Sequence, residues 1–310
     1  MPMLDLLATG YPSLDHIVAS SRCVGPGETA LLDSLVEEAS ATYGGCGANV
    51  AVALQRLGFA AGVALVLGDD AGGRAYRAAL AHDGLDVQNI TLLPGERTSS
   101  SYLFRNPDGE YQNYFFAGAA DAWRGDLALA GLEGVRLALV TVNYLPYNLQ
   151  FAERCTEAGI PLAWQLKADI AAYPAHAVES FARASRLIFC NRIEARYLLD
   201  VLGGADVTAL FKYGVEAVVT TLGSDGAQVT TRDGKWTVPA VHVPAIDTTG
   251  AGDAFTAGYL AGALRGLAPE TCARLGAVAA SFAVEAVGCQ TNLPDNARLE
   301  ARLREVFRDS

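Results

Sequence analysis

The most informative stretch of the sequence is residues 247–255, which read DTTGAGDAF. It follows a strand-like stretch at 241–246 and opens a strongly helical one, so its glycines lie where a helix begins. The first amides of a helix have no acceptor within the helix, and the helix dipole favours negative charge there. The backbone N–H groups of Ala251, Gly252 and Asp253 therefore predict an anion-binding site.

Asp253 is a carboxylate inside that predicted anion site. A negative side chain is electrostatically unfavourable there. It has a use if it removes a proton from a hydroxyl group while the neighbouring amides hold the developing negative charge. Helix capping is the alternative, since Asp is a common residue at the start of a helix. The residues of this segment leave both interpretations open.

Apolar segments alternate with helical patterns along the rest of the chain. Continuous apolar runs predict buried strands at 61–67, 137–142, 187–190 and 216–221. Helical patterns occur at about 71–82, 148–158, 192–200, 252–265 and 269–286. This alternation predicts an α/β fold with a doubly wound, mostly parallel central sheet flanked by helices. No linker-like stretch divides the chain, so we expect residues 1–310 to form a single domain.

Two β-rich excursions interrupt this alternation and predict a small β-sheet lid. Residues 98–105 and 111–116 flank the turn sequence NPDGE, which is typical of a hairpin. Residues 17–42 are irregular and extended, so the lid is expected from about 17–42 and 98–118. Two separate surface hairpins are the alternative. A further hairpin at about 227–238, turning at Asp233-Gly234, is expected to be structural.

Composition excludes several classes of protein. The chain has 310 residues, of which 51% are hydrophobic, and this excludes a disordered chain. Its 34 acidic and 23 basic residues give a formal net charge of −11, which argues against a nucleic-acid partner. Six cysteines without a C-x-x-C pair favour reduced thiols. No secretory signal and no apolar run of about 20 residues is apparent, so we expect a cytoplasmic protein without a membrane partner.

Two polar segments lie before the first long helical patterns. The glycine cluster Gly44-Gly45-Cys46-Gly47 precedes Asn49 and a helical pattern at 50–57. Glycines let a ligand approach the backbone closely, and the amide of Asn49 suits a polyol hydroxyl. Asp15 follows the first strand pattern, at the edge where a doubly wound sheet binds its ligands. Each segment on its own is also typical of a simple turn.

Two further polar segments follow later strands. Asn191 and Glu194 have the spacing of a helix capping box, and an Asn/Glu pair can also hold Mg²⁺ through water. Residues 221–226 read TLGSDG, where hydroxyls and glycines suit the phosphate and ribose of a nucleotide, although the segment is locally a turn. The sequence has no P-loop, no dinucleotide fingerprint, no histidines at metal-binding spacing and no nucleophile elbow.

Taken together, these segments resemble the ribokinase-like (phosphofructokinase B type) carbohydrate kinase family. DTTGAGDAF resembles the C-terminal signature of the family, and residues 44–58, GGCGANVAVALQRLG, resemble its N-terminal signature. Between them, Gly68-Asp69-Asp70, the Asn191/Glu194 pair and TLGSDG occur in the order of the family. The resemblance extends over residues 15–294.

The resemblance implies an ATP-dependent sugar kinase that transfers the γ-phosphoryl group to a primary hydroxyl of a small sugar. Asp253 would be the general base, and the anion hole would comprise Gly250, Ala251, Gly252 and the amide of Asp253. The residues implied to bind the acceptor are Asp15, Gly44, Gly45, Asn49 and Asn143. Those implied for the nucleotide are Asn191, Glu194, Thr221, Gly223, Ser224 and Gly226, with Glu194 organising Mg²⁺ through water. An implied K⁺ site comprises Asp247, Thr249, Ala283, Ala286, Gly288 and Asn292.

The sequence departs from ribokinase in the implied acceptor pocket. Cys46 stands where ribokinase has Lys, Asn143 where it has Glu, and residues 164–167, WQLK, replace a D-P-N-like stretch of many sugar kinases. The predicted lid and its flank are aromatic, at Tyr102, Tyr111, Tyr114, Phe115, Phe116, Tyr144 and Tyr147. An aromatic wall can stack on a nucleobase, so a nucleoside kinase on the same fold is the alternative.

Two further expectations come from the family. Relatives often dimerise through the lid, so a homodimer is expected, and core or dimer packing is a second explanation for the lid aromatics.

A non-catalytic sugar or nucleotide sensor is a third functional class. The presence of Asp253 beside Gly250-Ala251-Gly252 argues against a sensor, which has no need of a base.

Overall fold

The computed structural model describes residues 3–32, 41–108, 111–167 and 173–307. Its strands are β1 (Leu6–Thr9), β2 (Ser13–Ala19), β3 (Thr42–Gly44), β4 (Ala61–Gly68), β5 (Asp86–Leu93), β6 (Ser100–Arg105), β7 (Tyr111–Phe116), β8 (Ala138–Val140), β9 (Leu162–Gln165), β10 (Ser185–Asn191), β11 (Ala217–Thr221), β12 (Ala227–Thr231) and β13 (Lys235–Val238). Its α-helices are α1 (Cys46–Arg56), α2 (Ala71–His82), α3 (Ala119–Ala122), α4 (Leu145–Glu157), α5 (Ala175–Ala184), α6 (Arg192–Leu202), α7 (Ala251–Leu264), α8 (Pro269–Ala283) and α9 (Asn296–Val306).

The main sheet has nine strands in the order β13-β12-β11-β10-β9-β8-β1-β4-β5. All neighbouring pairs from β11 to β5 are parallel, and only the two pairs that involve β12 are antiparallel. Successive residues of each buried strand point to opposite faces of the sheet, as Leu6 and Leu7 do. Helices cover both faces, so the doubly wound, mostly parallel fold is confirmed.

Most of the elements predicted from the sequence form at or near their expected positions. Helix α2 has the predicted bounds 71–82, and β4 and the β12–β13 hairpin match their patterns. The strand expected at 241–246 is wrong, because this stretch has no regular structure. Pro239 and Pro244 have no amide hydrogen for a sheet ladder, which explains why the chain leaves the sheet after Val238. Helix α8 ends at Ala283 rather than near 286.

Helix α1 also begins earlier than its pattern predicted, at Cys46 rather than near 50. Gly45 precedes it with φ +101°, a left-handed conformation that strains any other residue. A Cβ atom at Gly45 would also lie 2.2 Å from the carbonyl oxygen of Tyr11. The glycine therefore lets the chain turn sharply from β3 into the helix.

The lid prediction is confirmed, with different bounds. Strands β3, β2, β6 and β7 form a second sheet in that order, which we call the lid sheet. The two excursions pair directly, because β2 runs parallel to β6 from Leu14 opposite Ser100 onward. The first excursion enters the sheet at Ser13 rather than near 17, so Asp15 lies within β2 and not in a turn after β1. Residues 33–40, and Gly109 and Glu110 of the predicted hairpin turn, lie outside the described residues.

The strand order of the main sheet predicts where a ligand binds. Strand β1 lies between β8 and β4, so the strand order runs outward in both directions from this point. In open α/β sheets, ligands bind beyond the carboxyl ends of the strands at such a reversal. The segments that follow β1, β8, β9, β10 and β11 should therefore line a common site. None of the helices in the described ranges has the length and hydrophobicity to span a membrane.

Candidate active site

A cavity of about 590 Å³ lies at the carboxyl ends of the parallel strands, beneath the lid sheet. The last residues of five parallel strands and the segments after them contribute Tyr11, Val142, Gln165, Leu166, Lys167, Asn191 and Thr221 to its wall. The inner face of the lid sheet contributes Ser13, Asp15, Ser101, Leu103, Asn113 and Phe115. The glycine cluster and the start of α7 complete the wall with Gly45, Cys46, Asn49, Gly250, Gly252 and Asp253. Residues of the expected segments around Asp15, Asn49, Asn191, Thr221 and Asp253 thus line one cavity.

Asp253 is buried at the bottom of this cavity, as the third residue of α7. Gly250 occupies the N-cap position with φ +78°, and no side chain caps the helix. The carboxylate of Asp253 instead accepts hydrogen bonds from Nδ2 of Asn49 at 2.8 Å and from Nε2 of Gln165 at 2.6 Å. The capping interpretation of Asp253 is therefore wrong. Both oxygens are held by neutral amides from other elements.

Burial raises the pKa of Asp253, because a low-dielectric site disfavours the charged carboxylate. The hydrogen bonds from Asn49 and Gln165 and the positive charge of Lys167 act in the opposite direction. Asn49 is itself fixed, since its Oδ1 accepts a hydrogen bond of 2.9 Å from Nε2 of Gln290. The arrangement orients a buried carboxylate that can accept a proton from a group in the cavity.

The predicted anion site is smaller than the sequence suggested. The amide of Ala251 donates to the carbonyl of Thr248 at 3.3 Å, so it is already engaged. The amides of Gly252 and Asp253 have no helical acceptor, because they lie in the first turn of α7. The space beside Gly252 is open, since a Cβ atom built there meets no atom within 4 Å. Two amides and the helix dipole thus remain to attract an anion.

Asp15 brings a second carboxylate to the cavity from the lid sheet. The hydroxyl of Ser13 donates to its Oδ1 at 2.5 Å and lies 2.9 Å from the hydroxyl of Ser101. Burial raises the pKa of Asp15 to about 6, although the hydroxyls and Lys167 oppose that effect. Gly44 makes room for this side chain, since a Cβ atom there would lie 2.0 Å from Oδ2 of Asp15.

Asn143 is not among the described residues that line the cavity. Its Oδ1 accepts a hydrogen bond of 2.9 Å from the amide of Tyr144, and its Nδ2 donates to the hydroxyl of Thr9 at 3.3 Å. Tyr144 is the N-cap residue of α4, so the amide of Asn143 supports the start of that helix. Its implied contact with the acceptor therefore remains a prediction that this geometry does not favour.

Asn191, Glu194 and Thr221 line the cavity beside β10 and β11, which β9 and β8 separate from β1. We call this part the far end of the cavity. Asn191 and Glu194 make the capping box expected from their spacing, because Asn191 accepts from the amide of Glu194 and Glu194 accepts from the amide of Asn191. Glu194 is also almost completely buried. Gly223, Ser224 and Gly226 form the turn after β11, outside the cavity wall. A Cβ atom at Gly223 would meet no atom within 4 Å, whereas one at Gly226 would lie 2.0 Å from the carbonyl oxygen of Val238, so the turn is open on its Gly223 side.

The residues implied for a monovalent cation are only partly arranged for one. Both oxygens of Asp247 accept backbone hydrogen bonds, from the amides of Thr249 at 2.8 Å and Gly288 at 2.9 Å. Asn292 does not fit, because its Oδ1 accepts from the guanidinium of Arg298 at 2.9 Å and a cation there would be repelled. Ala283 ends α8, and Ala286 lies in the loop that follows.

Sequence reasoning missed several residues of the site. Gln165 is the last residue of β9 and Lys167 follows it. The sequence named this stretch only as a departure from the family, although the rule that ligands bind beyond strand ends would have indicated both residues. Ser13, Ser101 and Gln290 had no comparable signal, because their roles depend on contacts between distant segments.

Across the described ranges, no group of three or more His, Cys, Asp or Glu residues is arranged to hold a metal ion.

The chain is similar to known kinases over nearly its whole length. Residues 4–296 match the family described as pfkB family carbohydrate kinase. The nucleoside kinase of Methanothermobacter thermautotrophicus is 28% identical over 292 residues, covering 94% of this chain and 93% of that protein. The ribokinase of Schizosaccharomyces pombe is 27% identical, covering 94% of this chain and 95% of that protein.

Solved structures agree with these relatives. The nucleoside kinase of Burkholderia thailandensis in complex with inosine has a TM-score of 0.87 and 25% identity, with 98% of this chain and 99% of that chain covered. The resemblance drawn from the sequence motifs is thus confirmed, and it accounts for the fold and the lid sheet. The chain belongs to the pfkB family of carbohydrate kinases and is an ATP-dependent phosphotransferase with an alcohol group as acceptor.

Proposed function

We propose that this protein phosphorylates the primary hydroxyl of a nucleoside, with Mg-ATP as donor and Asp253 as general base. The observation that carries this proposal is the division of the cavity wall into two parts. One part is polar and holds Asp15, Asn49 and Asp253, while the other is apolar and aromatic. A ribose with an attached base needs both surfaces, whereas a free sugar needs only the first.

The reaction follows from the groups around Asp253. Its carboxylate takes the proton of the acceptor hydroxyl, and the hydroxyl oxygen forms a bond to the γ-phosphorus as the bond to ADP breaks. The amides of Gly252 and Asp253 and the dipole of α7 stabilise the charge on the transferred group. Asn49 and Gln165 keep the carboxylate in place throughout, because each holds one of its oxygens.

The apolar part of the wall is suited to a nucleobase. Phe115 of the lid sheet and Tyr11 of the segment after β1 meet edge to face, with ring centroids 5.0 Å apart. The hydroxyl of Tyr11 donates to Asp121 of α3 at 2.5 Å, and this hydrogen bond fixes the position of the ring. Leu103 and Val142 are further apolar residues of the cavity wall. An aromatic contact of this kind contributes about 0.5–1.5 kcal/mol beyond burial of area.

The donor and its metal would occupy the far end of the cavity. Glu194 is a buried carboxylate on the wall beside Asn191, and Mg²⁺ in phosphoryl-transfer sites is held by one or two carboxylates with several waters. These residues therefore fit Mg²⁺, which would neutralise the phosphate charge. The hydroxyl of Thr221 and the open turn of Gly223, Ser224 and Gly226 would contact the nucleotide.

Activation by K⁺ is part of this proposal, at a site that excludes Asn292. Asp247 and Thr249 would hold the ion together with the backbone carbonyls of Ala283, Ala286 and Gly288. The ion would lie next to Gly250 and would stabilise the loop that precedes the anion site. Replacing K⁺ by Na⁺ should lower the rate, and an unchanged rate would remove K⁺ from the proposal.

We also propose a homodimer through the outer face of the lid sheet, in the cytoplasm. Phe115 faces the cavity, so its neighbours Tyr114 and Phe116 point outward, with Tyr102 opposite Tyr114. These three rings are 58%, 49% and 37% exposed, and a patch of this kind usually marks a contact surface. Tyr114→Glu should yield monomers in sedimentation experiments, whereas a monomeric wild-type protein would refute the dimer.

The six free cysteines support a reducing compartment.

The testing experiment measures ATP consumption with Mg²⁺ and K⁺ present, against inosine, adenosine, cytidine, ribose, fructose and ketodeoxygluconate. We expect nucleosides to be phosphorylated with the higher kcat/KM. Phe115→Ala should then raise the KM of nucleosides by about 10-fold or less, which corresponds to the aromatic contact, while Phe115→Tyr keeps the ring and the affinity. Equal loss for ribose and nucleosides would contradict the assignment of this wall to the base.

A free-sugar kinase is the second candidate. The hydroxyl-rich cluster of Ser13, Asp15 and Ser101 favours it, because this cluster alone could bind the hydroxyls of a small sugar. Turnover of ribose or fructose in preference to every nucleoside would establish it. ATP binding without turnover of any acceptor would instead support a sensor.

A further inference from the structure

The cavity wall carries more negative than positive side chains, and this imbalance points to Lys167. Three carboxyl groups line the cavity, those of Asp15, Glu194 and Asp253. Within the described ranges, Lys167 is the one basic residue on that wall. A nucleoside triphosphate would bring further negative charge to the same space, so the wall needs positive charge where the phosphates bind.

The position of Lys167 places it close to the reacting groups. It comes two residues after Gln165, whose amide reaches Oδ1 of Asp253 at 2.6 Å. The charge of Lys167 lowers the pKa of Asp253, of Asp15 and of the Cys46 thiol, so its electrostatic influence extends to all three. Lys167 lines the same cavity as Asp15, Cys46 and Asp253.

Among the residues that the structure describes, no other side chain with a positive charge lines the cavity. Cys46 faces the same part of the cavity, and burial raises the pKa of its thiol to about 12, which makes it a neutral group at physiological pH. The first turn of α7 supplies only the amides of Gly252 and Asp253, as described above. A flexible ammonium group with three donors can follow a phosphoryl group as it moves between two oxygens.

We propose that the ammonium group of Lys167 contacts the oxygens of the phosphoryl group during its transfer and is a catalytic residue of this kinase. This inference rests on the proposed kinase reaction. Lys167 stays protonated throughout, and it forms no covalent bond. Its role is to balance the charge on the phosphoryl oxygens while Asp253 takes the hydroxyl proton and ADP leaves with the electron pair of the broken bond.

The sequence provides internal controls, because it contains only three lysines, Lys167, Lys212 and Lys235. All three are exposed to solvent in the protein without ligands. Acetylation of the whole protein with an amine-reactive reagent, followed by mass spectrometry, therefore measures each lysine separately. We expect Mg-ATP to slow acetylation of Lys167 at least about fivefold, with Lys212 and Lys235 unchanged. Equal labelling of Lys167 with and without Mg-ATP would overturn the proposal.

Kinetics give the second readout. Lys167→Met should lower kcat by about 100- to 1,000-fold and leave the KM values of ATP and acceptor within a few-fold, because the contact that Lys167 makes in the Mg-ATP complex becomes much stronger in the transition state. Lys167→Arg should recover part of the loss, and Lys235→Met on strand β13 should behave as wild type. The acid limb of the pH profile should also move to higher pH in Lys167→Met.

The outcomes separate this inference from the proposed function. If the wild-type protein consumes ATP with an acceptor and Lys167→Met does so within threefold, the kinase assignment stands and the role of Lys167 is refuted. If Lys167→Met raises only the KM of the acceptor, the lysine binds the acceptor instead, which also refutes the proposal. If no acceptor is turned over, the proposed function fails, and the acetylation experiment with Mg-ATP still decides whether Lys167 contacts the phosphates.

Discussion

Replacing Gln165 with Met removes one of the two amides that hold the carboxylate of Asp253. The lost hydrogen bond is 2.6 Å long and buried, and a bond to a charged group is worth about 1.5–3 kcal/mol. One unit of pKa corresponds to about 1.4 kcal/mol. Burial raises the pKa of Asp253 and the bond from Gln165 lowers it, so its loss raises that pKa further, by about one to two units.

The consequence is a displaced pH profile. Asp253 works as a base only when ionised, so activity falls as pH decreases through its pKa. In Gln165→Met, the acid limb of kcat/KM for the acceptor should therefore lie about one to two pH units higher than in the wild type. The assay is ATP consumption between about pH 5 and pH 9, with kcat/KM fitted at each pH.

Two measurements control for indirect effects. The Oε1 atom of Gln165 is buried and has no partner within the described residues, so methionine, which has a similar length, removes no acceptor that is in use. The lost hydrogen bond should lower the melting temperature near neutral pH by only a few degrees, so the assay is run on folded protein. Gln290→Met breaks a contact with Asn49 rather than with Asp253 and should move the acid limb less. An acid limb that stays in place, or moves to lower pH, would refute this account of how Asp253 is held.

Three other changes have defined outcomes. Asp253→Asn should lower turnover by about 100- to 10,000-fold while the Kd of ADP, measured by calorimetry, stays within about twofold; substantial residual activity would exclude the base assignment. Because burial raises the pKa of Asp15 to about 6, the acceptor KM should rise as pH falls through that value, and Asp15→Asn should flatten this dependence. The half-buried thiol of Cys46 should react with iodoacetamide near pH 7.5 far more slowly than free cysteine, and rapid inactivation by alkylation at that residue would contradict its raised pKa.

Elements with strong local patterns were predictable from the sequence. Helix α2 matched its pattern residue for residue, because an apolar stripe and a capping Asp70 define it locally. The capping box of Asn191 and Glu194 was predictable for the same reason. The strand expected at 241–246 failed because Pro244 weakens a ladder that the apolar pattern suggests. Periodicity reports which residues are apolar, but it does not report whether a neighbouring strand is present to pair with them.

In the candidate site, too, the features encoded by one short segment were predictable, and those that depend on distant contacts were not. The anion site at the start of α7 was predictable, because the orphan amides and the dipole belong to one short segment. Asn292 was placed at the cation site by resemblance, and the structure engages its oxygen with Arg298 instead. Asn143 was assigned to the acceptor in the same way, yet it supports the start of α4.

The sequence by itself determined the reaction class, the doubly wound architecture and the identity of Asp253 as the candidate base. Only the tertiary structure decided what surrounds that base. Asn49 and Gln165 bond to Asp253 across 204 and 88 residues of chain, and Lys167 reaches the cavity from the same strand end as Gln165. Helix starts and apolar runs depend on neighbours within a few residues, whereas these contacts depend on the order and register of strands that are distant in sequence.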